Sequence, residues 1–437
     1  MMKFGLRLAI LLSLLAAPTL FAQPQERPEK WAVVIPTSEA GDLTKAPVDP
    51  SISFTTLGDK TVILGGESLL GKLSGKHPDH SPVGFRKGEE ALLFSTRAPA
   101  LRQMSISGAR LILKVQGMRV FLADETAKMG LTAKISPFTK LEALPANTVV
   151  LTPSRSPGKK RQGDLISPLL DRLDIEAFKA DVKALSDLKT RYTYSKGADA
   201  ALVYCEKKFQ ELGLKTRRQS FTSNGTSRDN LEAVQPGFDQ SNSGEVFIIA
   251  HLDSTSPNAS TLAPGADDNG SGAAGVLALA RFMKGLKGRA GVRFILVLGE
   301  EQGMLGSKAY VASLSPVELA KLRGAINMDM IAFDAQPPLS AVLETADFNG
   351  QMADQMSELA ARYTSLTTQI SYNWWGSDHV SFLKKNIPSV LTIESEYSDN
   401  ANYHQVTDTP DHMNNDLALQ MLRLNAASIC EMAEIER

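Results

Sequence analysis

The chain has 437 residues, of which 43% are hydrophobic and 22% charged, with a formal net charge of −1. That length suggests two or three domains with a core of ordinary size. A near-zero net charge supplies no global field for nucleic acid or an anionic membrane, so no nucleic-acid partner is expected, and no internal repeat is present.

Met1-Met2-Lys3 and Arg7 form a short basic region, and residues 8–22 are an apolar run interrupted by Pro18. This pattern predicts a secretory signal peptide over residues 1–22, cut near Ala22, and a secreted or periplasmic mature protein. The alternative, an uncleaved anchor, is disfavoured because the run falls short of the ~20 apolar residues a span needs. No Cys follows the run, which argues against a lipid anchor, and no membrane span is expected in the mature chain.

Residues 23–150 read as a small, mainly β N-terminal domain. Residues 61–64, 91–95 and 109–115 are β-rich, and Val115-Gln116-Gly117-Met118 has the look of a hairpin turn. His77 and His80 flank Pro78-Asp79 and are expected in a solvated loop. Residues 151–165 read as a linker, with Pro153, Pro157, Gly158 and then Lys159-Lys160-Arg161. A sharper alternative is a processing site there that releases residues 23–150 as a pro-segment.

From residue 166 to 437 the pattern becomes α/β. Asp174 can cap a helix with Ile175, Phe178, Val182 and Leu185 on one face. A helix over 202–212 stops at Gly213. Strands are expected at 215–221, 230–234, 246–251, 292–298, 325–328, 341–344 and 390–393, with helices at 272–284 and from Asp416. Alternation of this kind implies a mixed, mostly parallel sheet flanked by helices on both faces. The two cysteines, Cys205 and Cys430, each sit on the apolar face of a predicted helix. A disulfide between them and two separately buried thiols are equally open.

In such sheets binding sites lie beyond the carboxyl ends of strands. His251 closes the apolar run Val246-Phe247-Ile248-Ile249-Ala250, with Asp253 two residues on, placed to orient a ligating imidazole. Pro264-Gly265-Ala266-Asp267-Asp268-Asn269-Gly270-Ser271-Gly272 is a glycine-rich acidic turn entering a helix; alone it would be an Asx-turn and cap. Glu300-Glu301 follows a strand, and adjacent side chains on extended backbone diverge, so one carboxylate can hold a metal while the other faces water. Asp329 lies in a hydrophobic stretch, where a carboxylate is costly unless paired or metal-bound. Tyr403-His404 sits on a loop before Thr407-Asp408-Thr409-Pro410. His251, Asp267, Glu301, Asp329 and His404 thus form a candidate cage for two zinc ions. Two such ions, ~3.5–4 Å apart, would activate water and polarise a carbonyl. Glu300 is the candidate general base, and Tyr403 the candidate oxyanion donor.

Taken in order and spacing, these segments resemble the secreted two-zinc aminopeptidases of the bacterial leucyl-aminopeptidase type, in clan MH. The resemblance covers the chain from about Asp174 onward and not residues 23–150. It implies that His251 binds one zinc with Asp253 behind it, and that Asp267 bridges both ions. It further implies Asp329 on the zinc of His251, His404 on the zinc of Glu301, Glu300 as base and Tyr403 at the oxyanion. Ser377-Asp378-His379 matches a segment that lines the site, with His379 as a packing residue rather than a ligand. The implied activity is removal of N-terminal, apolar residues from peptides with a free N-terminus. Trp374-Trp375 either wall the pocket for that first side chain or simply pack their loop. The alternatives are a glutaminyl cyclase or carboxypeptidase relative on the same scaffold, or a non-catalytic binding ectodomain. Oligomeric state is left open by sequence.

Overall fold

The computed structural model describes residues 30–40, 52–65, 82–96, 107–115, 118–133, 139–158, 164–239, 244–333, 337–395 and 399–436. The expected signal peptide, His77 and His80, the Gln116-Gly117 turn and the basic run Lys159-Lys160-Arg161 lie outside the described residues.

The N-terminal part supplies β1 (Trp31–Pro36), β2 (Ser53–Leu57), β3 (Lys60–Gly65), β4 (Val83–Gly84), β5 (Glu90–Thr96), β6 (Arg110–Val115), β7 (Met118–Ala123), α1 (Glu125–Thr132), β8 (Thr139–Ala143) and β9 (Thr148–Leu151). It is mainly β, as its composition suggested. Strands β6-β7-β5-β8 form a separate four-stranded sheet. β6 and β7 pair antiparallel, as the expected hairpin requires.

Helices α2 (Ser167–Leu170), α3 (Ile175–Ser186) and α4 (Lys196–Glu211) follow. The Asp174 carboxylate accepts from Ala177 N at 2.9 Å and the Ser195 hydroxyl accepts from Ala198 N at 3.1 Å, so both longer helices start on side-chain caps. Then come β10 (Lys215–Ser223), β11 (Thr226–Gln235), β12 (Glu245–His251), α5 (Gly272–Met283), β13 (Lys287–Gly288), β14 (Gly291–Val297), α6 (Leu305–Ser313), α7 (Pro316–Lys321), β15 (Leu322–Met328) and β16 (Ser340–Glu344). The chain ends through α8 (Gly350–Tyr363), β17 (Thr367–Ser371), α9 (His379–Leu383), β18 (Ser389–Glu394), α10 (Asn415–Met432) and β19 (Ile435–Glu436).

Thirteen strands form one sheet in the order β10-β11-β14-β12-β15-β18-β16-β17-β9-β2-β3-β1-β4. Its centre, β14-β12-β15-β18, is parallel, and the flanks are mixed. Parallel strands are covered on both faces, which is why their sequences read as unbroken apolar runs. Val246, Ile248, Ala250, Phe294 and Leu296 face one way, into the core shared with α3, α4, α5 and α10. Phe247, Ile249, Ile295 and Val297 face the other way, against Tyr310, Val311 and Phe382 of α6 and α9. Successive residues of a strand point to opposite faces, so one apolar run serves two layers.

Two details were not expected. Only part of the N-terminal region forms its own sheet: β9, β2, β3, β1 and β4 continue the large sheet beyond β17. Residues 151–158, expected as part of an exposed linker, run along β17, with Arg155 N donating to Thr368 O and Thr368 N donating to Arg155 O. Cys205 and Cys430 are free, separately buried thiols.

Candidate metal centre

Four of the expected residues converge from the places the topology provides. His251 ends β12, Asp329 follows β15, Glu301 lies in the turn after β14, and His404 lies between β18 and α10. The fifth position differs. Asp268, not Asp267, stands between the two histidines. Ligand atoms of His251, Asp268 and Asp329 lie within 4.8 Å of one another, and so do those of Asp268, Glu301 and His404. His251 Nε2 is 3.4 Å from Asp268 Oδ1 and 3.4 Å from Asp329 Oδ1. His404 Nε2 is 3.0 Å from Asp268 Oδ2 and 3.0 Å from Glu301 Oε2. One carboxylate thus belongs to both groups through its two oxygens.

The backbone of the glycine-rich turn explains the displacement by one residue. Asp268 has φ −102° and ψ 96°, an extended conformation that sends its side chain away from the side Asp267 faces. Asp267 instead accepts from Ala332 N at 3.0 Å and from Asn400 Nδ2 at 3.1 Å, outside the cage. Burial and the charge of Asp267 hold the Glu394 carboxyl well above its usual range, and burial raises Asp267 itself to about 7. The turn needs its glycines. Gly265 has φ +53°, and a Cβ on Gly272 would sit 2.4 Å from Met328 O.

Three buried groups hold the ligand-bearing turns. Arg191, fully buried, donates to the carbonyls of Leu252 at 2.8 Å, Pro264 at 2.6 Å, Gly265 at 2.7 Å and Leu185 at 3.3 Å. The Asp253 carboxylate accepts from Glu300 N and Glu301 N, both at 3.3 Å, and from Thr193 Oγ1 at 2.9 Å. The Asp408 carboxylate takes the same position under Asp267 N and Asp268 N, both at 2.9 Å. Asp253 was expected to orient His251 through its carboxylate. The nearer acceptor for His251 Nδ1 is the Asp253 backbone carbonyl, at 3.1 Å against 3.6 Å for the carboxylate. That carbonyl places the ring proton on Nδ1 and leaves Nε2 turned into the cage.

Arg191 and Asp408 were given no role from sequence, and Ser377 was expected only in a segment that lines the site. Ser377 Oγ donates to Asp329 Oδ2 at 2.7 Å and accepts from Asn327 Nδ2 at 2.8 Å, fixing the carboxylate's rotation. A Thr-Asp-Thr-Pro segment and a Ser beside Asp-His were visible signals for two of them; nothing local marks Arg191. His379 Nε2 lies 3.3 Å from Glu344 Oε1, and His379 belongs to neither ligand group. Tyr403 is buried against Met330, Val342, Leu391 and Ile393, with its ring stacked on His404 at 3.8 Å between centroids.

The electrostatics are those of a site built for cations. Burial would depress both imidazoles, but the surrounding carboxylates outweigh it. His251 is held well above its usual range by Asp329, Asp253 and Asp268, and His404 is pushed up to about 10 by Glu301 and Asp268. Burial, with repulsion from Asp268, raises Glu301 to about 7 against the pull of His404. Glu300 is raised well above the carboxylate range by burial and by Glu301, Asp378 and Asp329. Glu301 Oε1 is buried and accepts no hydrogen bond from any described residue. A dense cluster of acids with two imidazoles and an orphaned oxygen fits divalent cations, whose charge would relieve the repulsion. Imidazole and carboxylate donors suit zinc.

Residues 230–429 match the model of peptidase family M28. Every residue of the double cage falls inside that segment, so the family resemblance drawn from the sequence motifs holds where the site is. The chain is 30% identical over 196 residues to aminopeptidase YwaD of Bacillus subtilis, covering 44% of this chain and 42% of that protein. It is 27% identical over 284 residues to a probable leucine aminopeptidase of Trichophyton verrucosum, covering 61% and 76%. The match therefore spans less than half of the Bacillus relative's length. Among solved structures, the LapA aminopeptidase of Legionella pneumophila shares the fold, with a TM-score of 0.57 at 17% identity over 79% of this chain and 98% of that one.

Proposed function

We propose that the chain is a zinc-dependent aminopeptidase that removes apolar residues from the free N-terminus of peptides. The observation that carries the reading is the shared carboxylate of Asp268, flanked by one imidazole and one further acid on each side. His251, Asp268 and Asp329 would hold one zinc, and Asp268, Glu301 and His404 the other. Two zinc ions bound there would polarise the substrate carbonyl and lower the pKa of the attacking water. Glu300 takes a proton from that water and delivers it to the leaving amine. Its raised affinity for protons in the bare site suits a group that must both accept and return one. Glu300 and the other acids around the cage would favour a protonated substrate α-amine, which is the electrostatic basis for cutting one residue from the end. A donor set that suits zinc, the aminopeptidase names of the relatives and the M28 match all support this reading.

A secretory leader over residues 1–22 belongs to the same proposal; N-terminal sequencing of the exported protein would show a start near Gln23. Among the described residues no helix is long and apolar enough to cross a membrane. The direct assay compares leucine amide with N-acetyl-leucine amide on purified protein. The free amine should be hydrolysed and the blocked one spared, with activity abolished by a chelator and restored by zinc. Equal rates on both substrates would reject the exopeptidase reading, and chelator-resistant turnover would reject the metal.

A further inference from the structure

We propose that the N-terminal β region is a permanent part of the substrate-binding rim, positioning the Trp374-Trp375 loop through Asn373. What the loop contacts rests on the aminopeptidase reading; how it is held does not.

Asn373 is 6% exposed and its carboxamide is used entirely by the N-terminal region. Its Nδ2 donates to Ser95 Oγ at 2.7 Å, and Ser95 on β5 is itself 2% exposed. Its Oδ1 accepts from Lys140 Nζ on β8 at 3.2 Å. The backbone leading into it is tied down as well. Tyr372 N donates to Val150 O at 2.8 Å, Thr152 N donates to Ile370 O at 2.8 Å, and Ile370 N donates to Thr152 Oγ1 at 2.8 Å. Four residues later the chain is fixed to the metal centre, where Ser377 Oγ donates to Asp329 Oδ2. Between these anchors, Trp375 N donates to Glu344 Oε1 at 2.9 Å.

A three-residue span pinned at both ends has little freedom, and it carries two half-buried indoles. One anchor belongs to the first cage and the other to the N-terminal strands. The Trp374-Trp375 loop, which leads directly to the cage-bound Ser377, is therefore held by a region more than two hundred residues away in sequence. Asn373, Ser95 and Lys140 act as positioning residues: they meet no reacting atom and work through the loop. Partly exposed indoles beside a site for an apolar first residue would act mainly on substrate binding.

The test uses full-length, zinc-loaded Ser95→Ala and Lys140→Ala, the second at a half-exposed side chain in case the first fails to fold. A single hydrogen bond of this kind contributes about 1 kcal/mol, so KM for leucine amide should rise roughly threefold to tenfold. The kcat should stay within about twofold, and KM for glycine amide should move less. Tryptophan emission is read on the same variants stripped of metal, where two of the three tryptophans report the loop; it should shift from wild type. Wild-type KM together with wild-type emission in both variants would overturn the proposal. A protein inactive on both amides would fail the aminopeptidase reading, while the emission result would still support or overturn the positioning.

Discussion

Glu300 and Glu301 are neighbours with the same side chain, and only the turn around them separates their parts. Asp253 accepts both backbone amides, and the Glu301 carboxylate is turned toward His404, while Glu300 is proposed to meet the substrate water. Glu300→Gln should keep full zinc content and lose at least about a hundredfold in kcat, as expected for a missing general base. A variant with near-normal turnover would remove Glu300 from the chemistry. The titration of the bare site gives a second expectation. Glu301 at about 7 and His404 at about 10 both bind protons more tightly when folded than unfolded. Their contribution to the stability of metal-free protein is present below the unfolded values and lost as pH rises through the folded ones. Asp268, held below its usual range, works in the opposite sense but titrates at lower pH. Metal-free protein should therefore lose thermal stability between pH 6 and pH 9. Zinc competes with those protons, so the rise in Tm on adding zinc should grow over the same interval. A zinc-induced shift that is flat from pH 6 to pH 9 would contradict this.

At the scale of elements, the strands that matter were legible because parallel strands must be apolar on both faces. The run 246–250 and the strand before Glu300 announce themselves for that reason. The acid turn was legible as a turn but not in its detail. Asp267 and Asp268 are chemically identical, and which one enters the cage depends on backbone dihedrals that no side-chain pattern encodes. Arg191 was invisible for a related reason: its partners are carbonyls, which every residue has. Three of its four acceptors, Leu252, Pro264 and Gly265, lie just before Asp253 or Asp268, and the fourth, Leu185, lies in α3. Arg191→Met should leave several buried carbonyls without donors and destabilise the fold by about 3 kcal/mol or more. Because the turn carrying Asp268 loses its clamp, zinc affinity should fall with it, by roughly tenfold to a hundredfold. Thermal melts and metal titration check both; an unchanged zinc affinity would mean the turn holds itself.

Across the whole molecule, the sequence separated a β region from an α/β region correctly in kind but gave no sign that they share a sheet. Sheet pairing between β9 and β17 is a contact between distant segments, and neither strand carries a signature of its partner. The Pro-Gly and basic composition of residues 151–165 suggested an exposed tether; residues 153–158 are exposed, yet Thr152 and Arg155 are hydrogen-bonded along the large sheet. A chain cut by a site-specific protease at a recognition sequence inserted within residues 159–163 should therefore remain one particle in size-exclusion chromatography. Elution of the N-terminal piece on its own would favour a releasable pro-segment.

One carboxylate, Asp268, is proposed to join two cation sites. Diffraction from a zinc-soaked crystal, recorded at the zinc absorption edge, tests it most directly. Two anomalous peaks are expected, one among His251, Asp268 and Asp329 and the other among Asp268, Glu301 and His404. A single peak, or density at Asp267 with Asp268 turned away, would contradict the account.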